Sequence, residues 1–244
     1  MILKVLGSSS SGNCYVLEGE NESLILECGI NFSTIKKHTD ISKLLGVCIT
    51  HEHNDHCKCY ANVVGSGIPV FSSKGTNSVL KERLKNSLLD RFFIDLDADT
   101  LYSVGGFKIY PFDVLHDVEQ PFAYVIEHEE CGRLLFATDT KVIPKFFSSL
   151  NHILVECNYD FETMSKMIAN GDTPMFLSKR VIQSHLGLES CITYLKQTDL
   201  SSVQNIVLLH LSNAHSNARL MKRAIIHEFG KTCYIADKGL IIDL

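Results

Sequence analysis

The sequence lacks any apolar run that approaches the roughly 18 residues a helix needs to cross a membrane. It has only five prolines among 244 residues, and no repeat, low-complexity tract or proline- and glycine-rich linker. Hydrophobic residues make up 45% and charged residues 21%, a globular composition that argues against disordered and fibrous architectures. We therefore expect one domain over residues 1–244. No basic segment precedes an apolar stretch at the start, so we expect no signal peptide and a cytoplasmic location.

The sequence also lacks an excess of basic residues. Its 23 lysines and arginines face 28 acidic residues, and the net charge of −5 argues against a protein that coats nucleic acid. A local basic groove stays compatible with this balance, because residues 179–223 hold six basic and two acidic residues, a local charge of +4. The basic residues are Lys179, Arg180, Lys196, Arg219, Lys222 and Arg223. The alternative is a solvated helix face, which is the commoner origin of such a run.

Nine cysteines, an odd number, are scattered through apolar surroundings. This distribution predicts reduced, mostly buried thiols that act as small hydrophobic side chains. Cys57 and Cys59 form a C-x-C pair, but no second pair accompanies it, so a four-cysteine zinc site is not expected.

Short strand-like runs dominate the first part of the sequence, and helical patterns become frequent in the last third. Leu44–Thr50 is a short apolar run with β-branched residues, which predicts a buried strand. A helix is predicted over Lys141–Phe147, between strands at Arg133–Thr138 and Ile153–Glu156. Two sheets covered by helices fit this distribution better than a regular β-α-β repeat does.

The most informative segment follows the predicted strand Leu44–Thr50. It carries three histidines and one aspartate within six residues: His51, His53, Asp55 and His56. Alternate residues of an extended backbone point the same way, so His51 and His53 can converge on one point, and Asp55 and His56 can turn towards a neighbouring one. Imidazole and carboxylate ligands at this density suit zinc, manganese or iron. The alternative is a solvent-exposed polar loop.

His51-x-His53-x-Asp55-His56 after an apolar strand resembles the H-x-H-x-D-H signature of metallo-β-lactamase-fold hydrolases. The resemblance implies an α/β (α+β) fold, a four-layer αββα sandwich, with two divalent metal ions at one edge. One ion would be held by His51, His53 and a later histidine, and the other by Asp55, His56 and a distal histidine. An aspartate would bridge both. The ions would be Zn²⁺ or Mn²⁺, and Fe²⁺ is also compatible with these ligands.

Strand ends supply candidates for the remaining ligands. His116 ends a strand-like run about where the resemblance expects the later histidine. His128 is its rival, but the acidic sequence around His128 predicts an exposed turn. Asp139 follows an apolar strand within Thr-Asp-Thr and is the expected bridging carboxylate.

The distal histidine has two candidates. His210 directly follows the apolar run Val207–Leu209, and we expect it to be the ligand because a strand end holds a ligand rigidly. His185 is the competitor. If His210 is the ligand, His185 would face the substrate and act as a general acid for the leaving oxygen. A polar residue at the start of a helix is an equal alternative for His185.

Further segments narrow the resemblance to the YycJ (WalJ) branch of this superfamily, whose members are implied to act as DNA exonucleases. These segments are Gly7–Cys14, His116-Asp117, Glu156–Asp160, Ser184-His185-Leu186, and His210-Leu211-Ser212 with Asn217. Two segments depart from the branch. Glu27-Cys28-Gly29 stands where Asp before Cys/Ala-Gly is usual, and Ser184–Leu188 stands where Gly-His-Leu-Ser-Asn is usual. The second departure leaves the exact substrate open.

The resemblance therefore implies a dinuclear metal-dependent hydrolase that uses a metal-bridging hydroxide. In such a site Asp55 would orient the hydroxide and Asp139 would fix the spacing of the metals. Glu27 and Thr50 would hold the histidines in one tautomer. The length of the chain excludes the large insertion of RNA-processing members, because only 71 positions separate Asp139 from His210.

Three features favour a phosphodiester as the substrate, and the resemblance to the branch implies a nucleic acid, with DNA ends in particular. The Ser8–Asn13 loop offers hydroxyl, amide and backbone N–H groups that can cradle a phosphate, although an ordinary hairpin turn is an equal alternative. The basic run flanks His210, and nearby asparagines can add phosphate contacts. The expected substrate contacts are Ser9, Ser10, Asn13, Asn213 and Asn217.

Two alternatives stay open. The first is a small-molecule hydrolase that acts on a cyclic phosphodiester, a nucleotide or a thioester, because the metal core does not select among these substrates. The second is a non-catalytic metal-binding regulatory protein. A membrane partner is not expected.

Overall fold

The computed structural model describes all residues 1–244. Its strands form two mixed β-sheets flanked by helices, which confirms the predicted α/β fold class. The chain divides into two compact units, each assembled from separate stretches of sequence. The first comprises Met1–Asp113, Val118–Cys131 and Asp237–Leu244, and the second comprises Val114–Asp117 and Gly132–Ala236. The single domain over residues 1–244 stays a prediction.

The first unit contains a seven-stranded sheet. Its strands are β1 (Ile2–Gly7), β2 (Cys14–Glu18), β3 (Ser23–Leu26), β4 (Leu44–Cys48), β5 (Val70–Ser73), β6 (Phe93–Leu96) and β14 (Ile241–Asp243), in the order β14-β1-β2-β3-β4-β5-β6. Pairing is antiparallel from β14 to β3 and parallel from β3 to β6. Parallel neighbours end at the same edge, so the residues that follow β3 and β4, including Glu27 and Thr50, lie there together.

The same unit holds three further strands and four helices. The strands β7 (Tyr102–Val104), β8 (Phe107–Asp113) and β9 (Phe122–His128) pair antiparallel in that order. The helices are α1 (Phe32–His38), α2 (Asn54–Cys57), α3 (Tyr60–Gly65) and α4 (Lys74–Leu84), with 3₁₀ turns at Ile41–Lys43 and Ser87–Phe92. Apolar residues of α1, α3 and α4, including Ile35, Val63 and Leu80, pack in one buried cluster with residues of the sheet.

The second unit contains four parallel strands and four helices. The strands are β10 (Gly132–Ala137), β11 (His152–Glu156), β12 (Asn205–Leu209) and β13 (Thr232–Ile235), paired in that order. The helices are α5 (Phe161–Ala169), α6 (Met175–Ser184), α7 (Leu188–Gln197) and α8 (Ala218–Phe229). β11 is buried along its whole length, as expected for a strand in a parallel sheet.

The register of these strands brings three polar residues to one edge of the sheet. Ala137 pairs with Val155, and Glu156 pairs with Leu209. The carboxyl ends of β10, β11 and β12 are therefore aligned. Asp139, Glu156 and His210 stand at or just after these ends.

The predicted helix over Lys141–Phe147 was wrong, because this segment contains no helix. Pro144 lacks an amide proton and disfavours helical backbone angles at Ile143, which precedes it. The hydroxyl of Thr140 instead accepts from the Val142 amide at 3.2 Å and donates to the Val142 carbonyl at 2.7 Å. Conversely, α6 was not predicted.

Two predictions from composition can be compared directly with the structure. All nine cysteines are buried free thiols, which confirms that prediction. No helix combines the length and the apolar character that a membrane span requires.

Candidate metal-binding residues

In the first unit, three imidazoles of the H-x-H-x-D-H segment gather at the end of β4. His51 Nε2 and His53 Nδ1 are 3.0 Å apart, and the ring centroids of His51 and His56 are 4.2 Å apart. His53 caps α2, which presents Asp55 from its first turn. Glu52 instead accepts from the Thr76 hydroxyl at 3.3 Å. The four predicted ligands of this segment therefore lie close together.

Two residues contact ring nitrogens of these imidazoles, as the sequence predicted. The Thr50 hydroxyl is hydrogen-bonded to His51 Nδ1 at 2.9 Å. Glu27 Oε1 lies 3.4 Å from His56 Nδ1, and the Glu27 carboxylate accepts from the Thr50 amide at 3.3 Å. Burial raises the pKa of Glu27, although His56 and Thr50 partly offset this effect. Contacts of this kind fix the ring orientation of metal-ligating histidines.

Asn13 lies inside this cluster. Its side chain is fully buried, and Nδ2 donates to the Asp55 main-chain oxygen at 3.3 Å and lies 3.1 Å from His56 Nε2. Gly29 makes this close packing possible, because a Cβ added there would stand 1.6 Å from the Asp55 carbonyl oxygen. The contacts support a role for Asn13 in positioning Asp55 and His56, and its contact with substrate stays a prediction.

The rest of the Ser8–Asn13 loop is less enclosed. Ser9 is half-buried, its hydroxyl accepts from the Ser11 amide at 3.2 Å, and its carbonyl accepts from the Gly12 amide at 2.8 Å. Ser10 is exposed. The loop is thus a hydrogen-bonded turn with an exposed tip, and the substrate contacts of Ser9 and Ser10 stay predictions.

In the second unit, four acidic and imidazole side chains converge. Donor atoms of Asp139, Glu156, His185 and His210 all lie within 4.8 Å of one another. Asp139 Oδ1 is 2.7 Å from His210 Nδ1, and Asp139 Oδ2 is 3.8 Å from His116 Nε2. The structure therefore brings together all four residues of this unit that the sequence singled out as ligands or acids, and it adds Glu156.

Glu156 is the centre of this cluster. Its Oε1 lies 2.7 Å from His185 Nδ1 and 3.2 Å from His210 Nδ1, while Oε2 accepts from the amides of Thr140 and Leu186, each at 3.0 Å. The side chain is completely buried. Glu156 belongs to the segment Glu156–Asp160 that resembles the branch, but no role was predicted for it. The available signal was a charged residue directly after the apolar run Ile153–Val155.

The electrostatics of the second cluster favour a cation. Burial alone lowers the pKa of His210, but the Asp139 and Glu156 carboxylates outweigh burial and raise it to about 10. The same competition raises the pKa of His185, chiefly through Glu156. Burial raises the pKa of Glu156, and its histidine neighbours outweigh that and lower it. Buried carboxylates of this kind need a compensating positive charge.

The ring of His116 is held in one orientation. Its Nδ1 donates to the Ser184 carbonyl at 3.1 Å, and its Nε2 faces two carboxylates, Asp117 Oδ1 at 3.3 Å and Asp139 Oδ2 at 3.8 Å. The rival His128 lies in the first unit and pairs with Glu22 Oε1 at 3.0 Å. The prediction that His128 is exposed was wrong. Although the residues next to it in the sequence are acidic, its ring is buried and packs on Phe107.

The remaining predicted residues lie on the surface of the second unit. Asn213 is exposed, and Asn217 caps α8 by accepting from the Leu220 amide at 3.1 Å. The six basic residues of the 179–223 run are distributed over α6, α7 and α8. One of them, Lys196, pairs with Glu228 at 2.7 Å.

Each cluster combines imidazole nitrogens with carboxylate oxygens, the donor set that zinc, manganese and iron accept. These donors and the two mixed sheets define a metal-dependent hydrolase. Residues 28–211 match the beta-lactamase superfamily domain, and the chain belongs to this family. Membership implies divalent metal ions and confirms the predicted superfamily.

Two relatives bear names that match the predicted branch. The exodeoxyribonuclease YycJ of Bacillus anthracis is 24% identical over 93% of this chain and 89% of its own length. The exodeoxyribonuclease WalJ of Streptococcus pneumoniae serotype 2 is 23% identical over 98% of this chain and 90% of its own length. Among solved structures, the metallo-beta-lactamase fold protein YhfI of Bacillus subtilis has the same fold, with a TM-score of 0.73, 15% identity, and coverage of 99% of this chain and 98% of its own.

Proposed function

We propose that this protein is a dinuclear metal-dependent phosphodiesterase that removes nucleotides from DNA ends. The observation that carries the proposal is the convergence of Asp139, Glu156, His185 and His210 within 4.8 Å, in a chain that also carries the complete H-x-H-x-D-H segment. The similarity to two exodeoxyribonucleases over nearly the whole chain supports DNA as the substrate.

The proposed ligands follow the family pattern residue by residue. His51, His53 and His116 would hold one ion, and Asp55, His56 and His210 would hold the other. Asp139 would contribute to both. The orientation of His116 supports this assignment, because its Nδ1 donates to Ser184 and its Nε2 faces Asp139. In the first unit, Thr50 contacts Nδ1 of His51 and Glu27 contacts Nδ1 of His56. These contacts support Nε2 as the ligand atom of both histidines.

His210 is the better candidate for the distal ligand. It is buried, and its Nδ1 lies 2.7 Å from Asp139. His185 is 18% exposed at its side chain, and its Nδ1 lies 2.7 Å from Glu156 Oε1, closer than the 3.2 Å between His210 Nδ1 and the same oxygen. His185 therefore keeps Nε2 for a proton that it gives to the leaving oxygen.

Bound divalent ions supply activated water and neutralise charge on the phosphoryl group. The protein residues hold the reacting groups in place. The side chain of Asn13 donates to the main-chain oxygen of Asp55. The carboxylate of Glu156 contacts His185 and accepts from the Thr140 amide, next to Asp139. Zn²⁺ and Mn²⁺ are the proposed ions, and Fe²⁺ suits the same ligands.

Digestion of end-labelled DNA and RNA by the purified protein tests the proposal. The reactions contain Mn²⁺, Zn²⁺ or a chelator, and His53→Ala serves as the control for contaminating nucleases. We expect metal-dependent shortening of DNA from one end, absent in His53→Ala. If no nucleic acid is shortened with any metal, the proposal fails and a small phosphodiester or thioester becomes the substrate to test. If no ester is hydrolysed despite full metal loading, the protein is a metal-binding regulator.

A further inference from the structure

The solvent face of α6 combines an aromatic ring with two cations. Phe176, Lys179, Arg180 and Gln183 are all exposed, and their spacing of three, four and seven positions from Phe176 places them on one side of the helix. Ser178, on the opposite side, is buried. Phe176 is 75% exposed, which is unfavourable for an apolar side chain of this size unless something covers it.

This stripe, defined by Phe176, Lys179, Arg180 and Gln183, leads to the proposed catalytic residues. α6 ends at Ser184, which accepts from His116, and the next residue is His185. Arg180 Nη2 lies 3.8 Å from Asp117 Oδ2, and Asp117 Oδ1 lies 3.3 Å from His116 Nε2. Both partners of the Arg180–Asp117 contact are largely exposed, so the contact is weak and a phosphate can replace it.

The charge of α6 is complementary to a nucleic acid. Lys179 and Arg180 are its only charged residues, although the chain as a whole carries −5. Single-stranded nucleic acids bind to surfaces on which bases stack on aromatic rings and phosphates contact basic side chains. A base in the interior of a duplex has both faces already stacked, so a ring and two cations spread along a helix fit successive bases and phosphates of an unpaired strand.

We propose that α6 binds single-stranded DNA beside the candidate metal centre, so that the substrate is a single-stranded DNA end. Phe176 stacks on a base, and Lys179 and Arg180 bind neighbouring phosphates. Ten helical residues rise about 15 Å, enough to contact a few nucleotides. This inference rests on the proposed hydrolysis of DNA ends and adds the strandedness of the substrate.

Fluorescence anisotropy with a labelled single-stranded oligonucleotide tests the proposal. The protein is metal-loaded, and phosphorothioate linkages slow hydrolysis of the probe. We expect Phe176→Ala to weaken binding by about tenfold, which lies within the range found for loss of one stacked base. We expect the double variant Lys179→Ala/Arg180→Ala to reduce the slope of log affinity against log salt by about 1.4, because each single-strand phosphate contact contributes roughly 0.7.

Two variants in the first unit serve as matched controls. Leu88→Ala removes another exposed apolar side chain, 79% exposed, and Lys36→Ala/Lys37→Ala removes an adjacent basic pair on α1. Both should bind the oligonucleotide like the parent protein. The proposal is overturned if the parent does not bind the oligonucleotide, if the α6 variants bind like the controls, or if a blunt duplex loses affinity equally.

The same variants also test whether the stripe binds another partner. If Phe176→Ala abolishes self-association or binding to lipid vesicles but leaves DNA affinity unchanged, the stripe belongs to that partner and the proposal is wrong. Digestion is measured separately. If DNA is digested but its binding does not depend on α6, this inference fails and the proposed function stands. If binding depends on α6 but no DNA is digested, the proposed function fails, and single-stranded DNA is a ligand of α6 without being a substrate.

Discussion

Asp139 Oδ1 lies 2.7 Å from His210 Nδ1, and both residues have left-handed backbone, with φ of 47° and 52°. Such a conformation costs about 1–3 kcal/mol in residues other than glycine and persists only where the surroundings hold it. Here each residue follows a buried parallel strand, and the turn away from the strand brings the two side chains together. The backbone of the second unit is thus strained at two of the proposed ligands.

Asp139→Ala should abolish activity and metal binding while the fold survives. The substitution removes a carboxylate that the proposal assigns to both ions, and loss of a residue that merely orients a ligand already weakens metal binding or activity about 10–100-fold. We therefore expect a loss greater than about a hundredfold. Metal content by mass spectrometry and circular dichroism check this. Asp172→Ala, at an exposed position of the same unit, should match the parent. Two ions per chain in active Asp139→Ala protein would show the assignment to be wrong.

The variants His185→Ala and His210→Ala should show which histidine is the general acid and which is the distal metal ligand. We expect His185→Ala to keep both ions and slow turnover by roughly 10²–10⁴-fold, the usual contribution of a general acid. His210→Ala should lose one ion per chain, because it removes the proposed distal ligand. Metal stoichiometry of the two variants decides the matter. Loss of an ion in His185→Ala alone would exchange the two roles.

Glu156→Gln should weaken metal binding about 10–100-fold, as loss of an orienting carboxylate does. The amide oxygen of glutamine can still accept from Thr140 and Leu186, but its amino group then faces His185 and His210 and disfavours their Nδ1 protons. Titration of the metal-free variant with Zn²⁺ by calorimetry measures the effect. Glu189→Gln, exposed on α7, is the control. Unchanged affinity in Glu156→Gln would remove Glu156 from the positioning role.

Gly29→Ala should destabilise the protein by at least about 1–3 kcal/mol, the usual cost of forcing extra atoms into a packed interior. The added Cβ would stand 1.6 Å from the Asp55 carbonyl oxygen, a backbone atom that cannot move away cheaply. Thermal unfolding should show a midpoint lower by roughly 2–4 °C per kcal/mol. Gly65→Ala, where a Cβ meets nothing within 4 Å, should change the midpoint little. Equal midpoints for the two variants would contradict the packing argument.

The H-x-H-x-D-H residues could be recognised without a structure because they are neighbours along the chain. His51, His53, Asp55 and His56 need only one strand end and one helical turn to come together. Asp139 and His210 could also be named, since each follows an apolar strand and parallel strands end at one edge.

The role of Glu156 could not be predicted in the same way. Its partners Thr140, His185 and His210 are 16, 29 and 54 positions away in the sequence. The prediction that His128 is exposed was wrong for the same reason, because Glu22, the residue that pairs with its buried ring, is 106 positions away. α6 was missed because its exposed Met175, Phe176 and Leu177 obscure the helical pattern of apolar and polar residues.

The sequence by itself determined the superfamily and the chemical types of the proposed ligands, because those features depend on residue identity and on spacing over a few positions. Tertiary structure decided which polar residues are buried, which nitrogen of His116 contacts Ser184, and which carboxylate joins His185 to His210. The physical reason is that burial and hydrogen-bond partners are supplied by strands and helices far apart in the sequence. Their register against one another is set by packing of the whole unit.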